Sequence, residues 1–286
     1  MARKHLSVSI IEDKPAAEGI SLSTNLSVSF VKKLMNAGAV WQVTNSKQTR
    51  LRKHKKNLNK GTALEIFIDD DVLNYKPENH PILIGDSLTY SVWFKPPGWV
   101  SQGTKFGDKY SILRHAEVKF NKAFLIHRLD REVFGLMVVA KSAKTASFIS
   151  RNWKSSETKK IYQAILLGQL ELEENQIIDI NFDLDGKKSL SRVKLLKKQN
   201  GLSHVEVEIL TGRKHQIRRH LAEFGHPVIG DPKYGKSNKN KEGILLAAVK
   251  LSFPDPDTPG NDIKSFELPA DLMLRKNLNE YLLNES

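Results

Sequence analysis

The most informative stretch for the fold is His127-Arg-Leu-Asp-Arg-Glu-Val-Phe-Gly-Leu-Met-Val-Val-Ala-Lys141. Its second half, from Gly135 to Lys141, is an apolar run of the length and composition typical of a buried β-strand. Its first half places Asp130 between two arginines directly before that strand. Nearby positive charge favours an ionised carboxylate, which makes Asp130 a candidate catalytic residue. The same carboxylate could instead pair with Arg128 or Arg131 in a surface loop.

The segments that follow this strand alternate between helical and extended patterns. Ser142 is a typical helix N-cap and predicts a helix after it, whereas residues 160–167 alternate in the manner of a strand. Asn200-Gly201 separates two extended runs, which predicts a hairpin. Strands outnumber helices and short turns join them. We therefore predict an α+β fold with a mainly antiparallel or mixed central sheet and flanking helices, not a doubly wound fold.

The N-terminal residues 1–75 are predicted to form a separate small domain, followed by a large domain over residues 76–286. Residues 27–38 have the pattern of a short helix with Gly38 as its C-terminal cap. Extended runs follow at residues 39–43 and 64–68. This order resembles the small S4-like α+β RNA-binding domain over about fifty residues. The polar, proline-containing residues 69–81 mark the boundary between the two domains.

The net charge is +13, and much of it lies in this first domain. Between Gly19 and Leu64 there are nine basic residues and no acidic one. An excess of this size favours a polyanionic partner, most commonly a nucleic acid. A merely basic soluble protein is the alternative, and Lys53 to Lys60 could be a solvated loop or a disordered arm. The residues of this domain that we expect to bind RNA are Lys32, Lys33, Arg50, Arg52 and Lys53.

A second basic cluster, Thr211-Gly-Arg-Lys-His-Gln-Ile-Arg-Arg-His220, opens a predicted helix. Cations at a helix start oppose the helix dipole, so this placement indicates that an anion is held there. A solvated basic helix face is the alternative. Arg213, Lys214 and His215 are therefore candidate RNA-binding residues.

Several classes of site and location are not expected. The chain has no cysteine, which excludes disulfides, cysteine-ligated zinc and cysteine nucleophiles. The spacing of His215 and His220 does not suit a zinc site on a helix. Residues 230–237 match the P-loop pattern, but Pro232 removes a backbone donor and a polar segment follows, so we expect no nucleotide cofactor. Without an apolar leader or a membrane span, we expect a cytoplasmic protein with no membrane partner.

Taken together, the motifs resemble the RluA family of pseudouridine synthases, from about residue 87 to residue 254. The motifs that carry the resemblance are Lys95-Pro-Pro-Gly98, His127-Arg-Leu-Asp-Arg131, Gly135-Leu-Met-Val-Val-Ala-Lys141, Lys160-Ile-Tyr162, Thr211-Gly-Arg-Lys-His-Gln-Ile-Arg218 and Gly225-His-Pro-Val-Ile-Gly-Asp-Pro-Lys-Tyr-Gly235. An N-terminal S4-like domain is common in this family.

The resemblance implies three catalytic residues. Asp130 corresponds to the carboxylate that attacks uracil C6 or ribose C1′ and so detaches the base for reattachment through carbon. Arg218 corresponds to the arginine that pairs with this carboxylate. Tyr162, which carries little functional weight by itself, corresponds to the tyrosine that stacks on the target base and takes part in proton transfer. No metal and no organic cofactor is implied.

The resemblance also implies RNA contacts. Arg128 corresponds to a residue that fills the gap left by the extruded base, and Arg131 and the other basic residues would hold phosphates. The chain departs from the family pattern at Val133 and Phe134, where Thr and Ser are usual. We expect a monomer that acts on ribosomal RNA of the large subunit. The alternatives are a transfer RNA pseudouridine synthase and a non-catalytic RNA-binding or ribosome-assembly factor on the same scaffold.

Overall fold

A computed structural model describes residues 3–45, 47–235, 243–260 and 262–272. The chain divides into two compact units, one of Met1–Glu78 with Gln102–His115 and one of Asn79–Ser101 with Ala116–Ser286. The first unit includes residues 76–78 and 102–115 in addition to residues 1–75, and the predicted domains of residues 1–75 and 76–286 stay a prediction. Asp108 in the segment 102–115 forms ion pairs with Arg50 and Arg52. The S4-like nature of the N-terminal domain stays a prediction.

The first unit contains a four-stranded antiparallel sheet with the strand order β1-β6-β3-β4 and a separate two-stranded ladder of β2 and β5. Its strands are β1 (Lys4–Ser9), β2 (Lys14–Pro15), β3 (Val40–Thr44), β4 (Lys47–Arg50), β5 (Asn57–Leu58) and β6 (Ala63–Ile68). Its helices are α1 (Ala16–Thr24), α2 (Val28–Ala37) and α3 (Asp70–Asn74).

Helix α2 confirms the helix predicted from residues 27–38. Ser27 caps it by accepting a hydrogen bond from the Phe30 backbone N–H, and Gly38 ends it in the left-handed conformation at φ +80°. Its apolar face packs with one face of the four-stranded sheet, where Leu34 and Met35 share a core with Leu64. The two strands predicted around residues 39–43 and 64–68 correspond to β3 and β6.

The second unit is built on a ten-stranded sheet among the described residues. Its main strand order is β12-β13-β14-β11-β15-β10-β8-β7, with β16 paired to β15 and β9 to β10. The strands are β7 (Ile82–Asp86), β8 (Tyr90–Lys95), β9 (Phe124–Leu125), β10 (Phe134–Ala140), β11 (Lys159–Leu167), β12 (Ile177–Ile180), β13 (Ser191–Gln199), β14 (Leu202–Ile209), β15 (Leu246–Pro254) and β16 (Ile263–Glu267). Helices α5 (Ala143–Asn152) and α6 (Gln216–Glu223) belong to this unit, whereas α4 (Ile112–Phe120) contains residues of both units.

The predicted α+β class and the mixed, mainly antiparallel sheet are confirmed. Strands β10 and β15 pair in parallel, whereas the other ladders of this sheet are antiparallel. Ser142 caps α5 through the Thr145 backbone N–H, as predicted. The hairpin of β13 and β14 turns at Asn200 and Gly201, both with positive φ, which is the requirement of a tight two-residue turn.

Strand β10 lies in the interior of the sheet and carries the residues just after Asp130. Leu136 and Val138 are fully buried in the main core. Gly135 adopts φ +118°, and a Cβ on it would lie 2.2 Å from the carbonyl oxygen of Ala248 on β15. Only glycine therefore permits the close approach of β10 to β15 at this point. Within the described part of the chain, none of the helices combines the length and apolarity needed to cross a bilayer.

Candidate active site

The loop between β9 and β10 carries Asp130, and backbone hydrogen bonds hold it on both sides of that residue. On one side, the Ser101 hydroxyl donates to the Leu129 carbonyl at 2.7 Å and accepts from the Leu129 N–H at 2.8 Å. On the other side, the Arg131 carbonyl accepts from the Gly98 N–H at 2.9 Å. The backbone around Asp130 is thus fixed while its side chain stays part-exposed.

Lys95 is a fully buried lysine that supports the same loop. Its Nζ donates to the carbonyls of Trp99, Arg131 and Pro96 at 2.7, 3.2 and 3.3 Å. Burial lowers the pKa of Lys95 to about 7, against the opposing charges of Glu132 and Asp130. This lysine belongs to the sequence motif Lys95-Pro-Pro-Gly98, but nothing in the local sequence indicates that it binds this loop.

His127, at the start of the loop, is a second support. Its Nε2 accepts from the Val138 backbone N–H at 3.1 Å, and its ring stacks on Trp153 at 4.5 Å. Desolvation, with a smaller effect of Lys160, lowers the pKa of His127 to about 3. The imidazole is therefore neutral at neutral pH, which leaves Nε2 able to accept this hydrogen bond.

Arg218, in the first turn of α6, contacts Asp130 from within the protein. Its Nη1 lies 3.1 Å from Asp130 Oδ2, and its Nε and Nη2 donate to Asp231 at 2.7 and 2.8 Å. Burial opposes the charge of Arg218, but the hydrogen bonds with Asp231 and Asp130 raise its pKa above the ordinary value. The predicted partners Asp130 and Arg218 are therefore brought together, and Asp231 is an additional residue that the sequence did not assign.

Asp231 is buried in the turn that follows Val228, a residue that forms an isolated β-bridge with Leu166. Burial alone would raise the pKa of Asp231, but Arg218 and the backbone N–H groups of Tyr234 and Lys233 hold it below the ordinary value. This turn is the described part of the P-loop pattern at 230–237, and residues 236–242 lie outside the described residues. Its carboxylate binds an arginine, so this part of the loop is not arranged around a phosphate.

His215 contacts Asp130 from the N-terminal end of α6. Its Nε2 lies 3.6 Å from Asp130 Oδ2, and its Nδ1 lies 2.9 Å from the Tyr234 hydroxyl. Desolvation is the main cause that lowers the pKa of His215, and Asp130 opposes it. Tyr234 is a further site residue that the sequence did not assign.

Tyr162 lies on β11 and is 7% exposed. Burial, and secondarily the charge of Asp130, raises the pKa of Tyr162 above the ordinary value. Its phenol is therefore neutral at neutral pH and can donate a hydrogen bond.

The residues predicted to bind RNA fall into two groups. Arg128, Arg131, Lys214, Lys32, Lys33 and Lys53 are exposed. Lys33 also donates to Asn74 Oδ1 at 2.8 Å, and the remaining residues are less exposed and are engaged within the protein. Arg213 donates to the Lys188 carbonyl, and Arg50 and Arg52 pair with Asp108 at 3.0 and 2.6 Å. Arg50 also stacks on Trp41 at 4.1 Å. The contacts of Arg50 and Arg52 hold the first unit together, a role that their basic surroundings in the sequence did not predict.

Val133 and Phe134, which replace the usual Thr and Ser, belong to the core. Val133 is 3% exposed, and Phe134 packs edge-on against Phe94 with ring centroids 6.4 Å apart. The change from hydroxyl to apolar side chains therefore adds apolar packing beside the loop and leaves the contacts of Asp130 with Arg218 and His215 intact. Among the described residues, no group of His, Cys, Asp and Glu side chains is arranged to hold a metal ion.

Comparison with known proteins matches residues 89–223 to the family described as RNA pseudouridylate synthase. This segment includes Asp130, Tyr162 and Arg218 and ends before Asp231. An uncharacterised RNA pseudouridine synthase of Aquifex aeolicus is 30% identical over 250 residues, which cover 79% of this chain and 78% of the relative.

Two further relatives have more specific names. A ribosomal large subunit pseudouridine synthase D of Neisseria meningitidis is 32% identical over 52% of this chain and 45% of its own length. The dual-specificity RNA pseudouridine synthase RluA of Vibrio parahaemolyticus is 29% identical over 70% of this chain and 88% of its own length.

The solved structure of human RNA pseudouridylate synthase domain containing 1 has the same fold, with a TM-score of 0.53 at 22% identity over 74% of this chain and 98% of that chain. The motifs, the fold and these relatives agree. The chain belongs to the RluA family of RNA pseudouridine synthases, enzymes that isomerise uridine to pseudouridine in RNA.

Proposed function

We propose that this enzyme uses Asp130 to isomerise specific uridines in large-subunit ribosomal RNA, and that it works as a cytoplasmic monomer. The observation that carries the catalytic assignment is the contact of 3.1 Å between Arg218 Nη1 and Asp130 Oδ2. A part-exposed carboxylate is held there against a buried cation on a fixed backbone, which is the arrangement that an ionised nucleophile needs.

The reaction is a rearrangement within one nucleotide. The bond between ribose C1′ and uracil N1 breaks, a bond between C1′ and C5 forms, C5 loses a proton and N1 gains one. No electron acceptor or donor is required. Asp130 would start the reaction by attack at C6 or C1′, and Arg218 would keep the carboxylate charged and oriented until the base is detached.

The target uridine must leave its stack before its reacting atoms are accessible. Tyr162 lies within the electrostatic influence of Asp130 and, as a neutral phenol, offers an aromatic face on which a flipped uracil could stack. Arg128 is exposed two residues before Asp130, which suits the family role of filling the gap in the RNA. Exposed basic residues around these groups, including Arg131 and Lys214, would bind phosphates.

The choice of ribosomal RNA rests on two observations. The Neisseria meningitidis relative is named for the large ribosomal subunit. The first unit carries exposed lysines at Lys32, Lys33 and Lys53, which fit an S4-like domain that binds a large folded RNA. Transfer RNA is the alternative substrate for the same chemistry.

A non-catalytic RNA-binding or assembly factor is the alternative of a different class. Its main support was the exchange of Thr and Ser for Val133 and Phe134, and both of these side chains pack in the core. A protein that had lost the catalytic activity would no longer need Asp130 and Arg218, yet both are present and in contact. This favours an active enzyme.

The test is a map of pseudouridine across total cellular RNA, made by carbodiimide labelling in cells with and without the gene. Complementation with the wild-type gene and with Asp130→Asn separates catalysis from binding. We expect one or a few discrete sites to disappear without the gene, to return with the wild type and to stay absent with Asp130→Asn. Sites that return with Asp130→Asn would refute the catalytic role of Asp130, and sites confined to transfer RNA would refute the ribosomal substrate.

A further inference from the structure

The two basic partners of Asp130 approach the same oxygen of its carboxylate. Arg218 Nη1 lies 3.1 Å from Oδ2, and His215 Nε2 lies 3.6 Å from the same Oδ2. Among the residues that the structure describes, none forms a hydrogen bond or ion pair with Oδ1. The carboxylate is therefore held at one oxygen and open at the other.

His215 is held in this position by an unusual backbone and by a second hydrogen bond. It adopts φ +54° and ψ +29°, a left-handed conformation that a β-carbon disfavours. Its side chain is 16% exposed. The ring is fixed by the Tyr234 hydroxyl, 2.9 Å from Nδ1, and the two rings also meet edge-on. A strained residue with both ring nitrogens directed at protein groups is typical of a functional position.

Tyr234 is in turn fixed by the residue that fixes Arg218. Asp231 accepts a hydrogen bond from the Tyr234 backbone N–H at 3.0 Å and binds Arg218 with both oxygens. Arg218 also lies over the Tyr234 ring at 5.3 Å. Asp231 thus helps to position both basic partners of Asp130. It binds Arg218 directly, and it holds Tyr234, which contacts His215.

Desolvation is the main cause that favours the neutral form of His215; the charge of Asp130 opposes it, and the positive charges of Arg218, Lys214 and Lys233 add to it. If the Tyr234 hydroxyl donates to Nδ1, the neutral ring carries its hydrogen on Nε2 and directs it towards the Asp130 carboxylate. Tyr234 then donates to His215, and the N–H of His215 faces the Asp130 carboxylate, which can accept it.

We propose that His215, fixed by Tyr234, is a positioning residue that acts with Arg218 on Oδ2 of Asp130 and leaves Oδ1 as the oxygen that reacts with the nucleotide. This assignment rests on the proposed function of Asp130 as the catalytic carboxylate. It replaces the prediction from the sequence that His215 binds RNA. The exposed neighbour Lys214 is the better candidate for a phosphate contact, since His215 is already directed at Asp130 and Tyr234.

The test uses the full-length protein and measures tritium release from C5 of uridine under single-turnover conditions. The substrate is total RNA from cells that lack the gene, grown with uridine tritiated at C5, so the target site need not be known. Varying the enzyme concentration gives a rate constant at saturation and a half-saturating concentration, which separate the chemical step from RNA binding.

Three variants isolate the contact. His215→Asn keeps a polar group near Nδ1, loses the group at Nε2, and tolerates the left-handed backbone well. His215→Gln restores an amide nitrogen near the position of Nε2. Tyr234→Phe removes only the hydroxyl that fixes the ring. Glu223→Gln, an exposed change in the last turn of the same helix, is the matched control.

We expect His215→Asn to lower the saturated rate constant by about 10- to 100-fold, an effect of the size seen in metal sites when a residue that orients a ligand side chain is removed. The half-saturating concentration should stay within about threefold, since the phosphate contacts that dominate RNA affinity are untouched. His215→Gln should recover part of the rate. The double variant His215→Asn/Tyr234→Phe should be no slower than His215→Asn alone. Tyr234 acts on Asp130 only through His215, so its loss has no further effect once His215 is replaced.

A higher half-saturating concentration at an unchanged rate constant would overturn the proposal and restore His215 as an RNA contact. A fully active His215→Asn beside an inactive Asp130→Asn would refute the positioning role and leave the proposed function standing. An active Asp130→Asn would refute the proposed function itself. Thermal unfolding of each variant shows whether a lower rate reflects unfolding. If His215→Asn does not fold, Tyr234→Phe, which leaves the backbone unchanged, tests the positioning role instead: a lower rate constant supports it and an unchanged rate constant refutes it.

Discussion

Asp231 binds Arg218 through two parallel hydrogen bonds, from Nε at 2.7 Å and from Nη2 at 2.8 Å, and thereby leaves Nη1 to contact Asp130. Such a bidentate pair fixes the plane of the guanidinium as well as its position. Both Arg218 and Asp231 are buried, so neither charge is stabilised by bulk water. Asp231, which fixes the arginine that contacts Asp130, lies outside the segment that the family comparison matches.

Replacement of Asp231 by Asn should disturb both the charge and the geometry of Arg218. Breaking a buried ion pair by removing one partner costs about 3–5 kcal/mol of stability. We expect urea unfolding to show a destabilisation of this order and single-turnover tritium release to slow by about 10- to 100-fold. Asp185→Asn is the matched control because Asp185 pairs with the adjacent Arg219 on the surface. Equal stability of the two variants would argue against the importance of the buried pair.

Gly135→Ala should prevent the normal approach of β10 to β15. The new Cβ would lie 2.2 Å from the Ala248 carbonyl oxygen, and the backbone has φ +118°. We expect a destabilisation of at least about 3 kcal/mol, since both strain and overpacking are involved. Gly186→Ala is the control because Gly186 has φ +68° and open space around it. Comparable melting temperatures for the two variants would contradict the requirement for close approach.

His127 should make the folded protein less stable as the pH falls. Its pKa is about 3 in the folded state and near its ordinary 6.5 when unfolded, so below pH 6.5 the unfolded chain binds a proton that the folded chain does not. The free energy of unfolding should therefore fall as pH decreases from about 6.5 towards 3, by up to about 1.4 kcal/mol per pH unit from this group.

Urea unfolding of the wild type and of His127→Gln between pH 7 and pH 5 measures this effect. The glutamine can still accept a hydrogen bond from the Val138 N–H but has no titratable group in this range. We expect a shallower dependence on pH for the variant. Parallel curves would show that His127 titrates normally in the folded protein.

Neutralising Lys53, Lys55 and Lys56 should weaken RNA binding by an amount set by how many phosphates these lysines contact. All three are exposed, whereas the nearby Arg52 pairs with Asp108. Each phosphate contact contributes about 0.7 to 0.9 to the slope of log affinity against log salt, so the triple glutamine variant should lower the slope by up to about 2 to 3. Lys264→Gln, an exposed change on β16, serves as the control. An unchanged slope in the triple variant would remove the support for an RNA-binding first domain.

Helices, turns and strands that are specified by residues close together in the chain could be predicted from the sequence alone. The cap residues Ser27 and Gly38 predicted α2, and Asn200-Gly201 predicted the hairpin of β13 and β14. The apolar run after Asp130 predicted the buried strand β10. Spacing, capping and turn chemistry act over a few residues, so they can be seen without any knowledge of the fold. The motifs were also specific enough to reveal the family.

Which charges meet depends instead on the tertiary structure. Asp130 and Arg218 are 88 residues apart, and Arg52 and Asp108 are 56 residues apart. The resemblance implied the first pair, but nothing in the local sequence showed that Asp231 would bind Arg218 or that Asp108 would bind Arg50 and Arg52. Ion pairs between distant residues depend on how strands and helices pack, because the energy of a charge depends on its three-dimensional neighbours and on its distance from water.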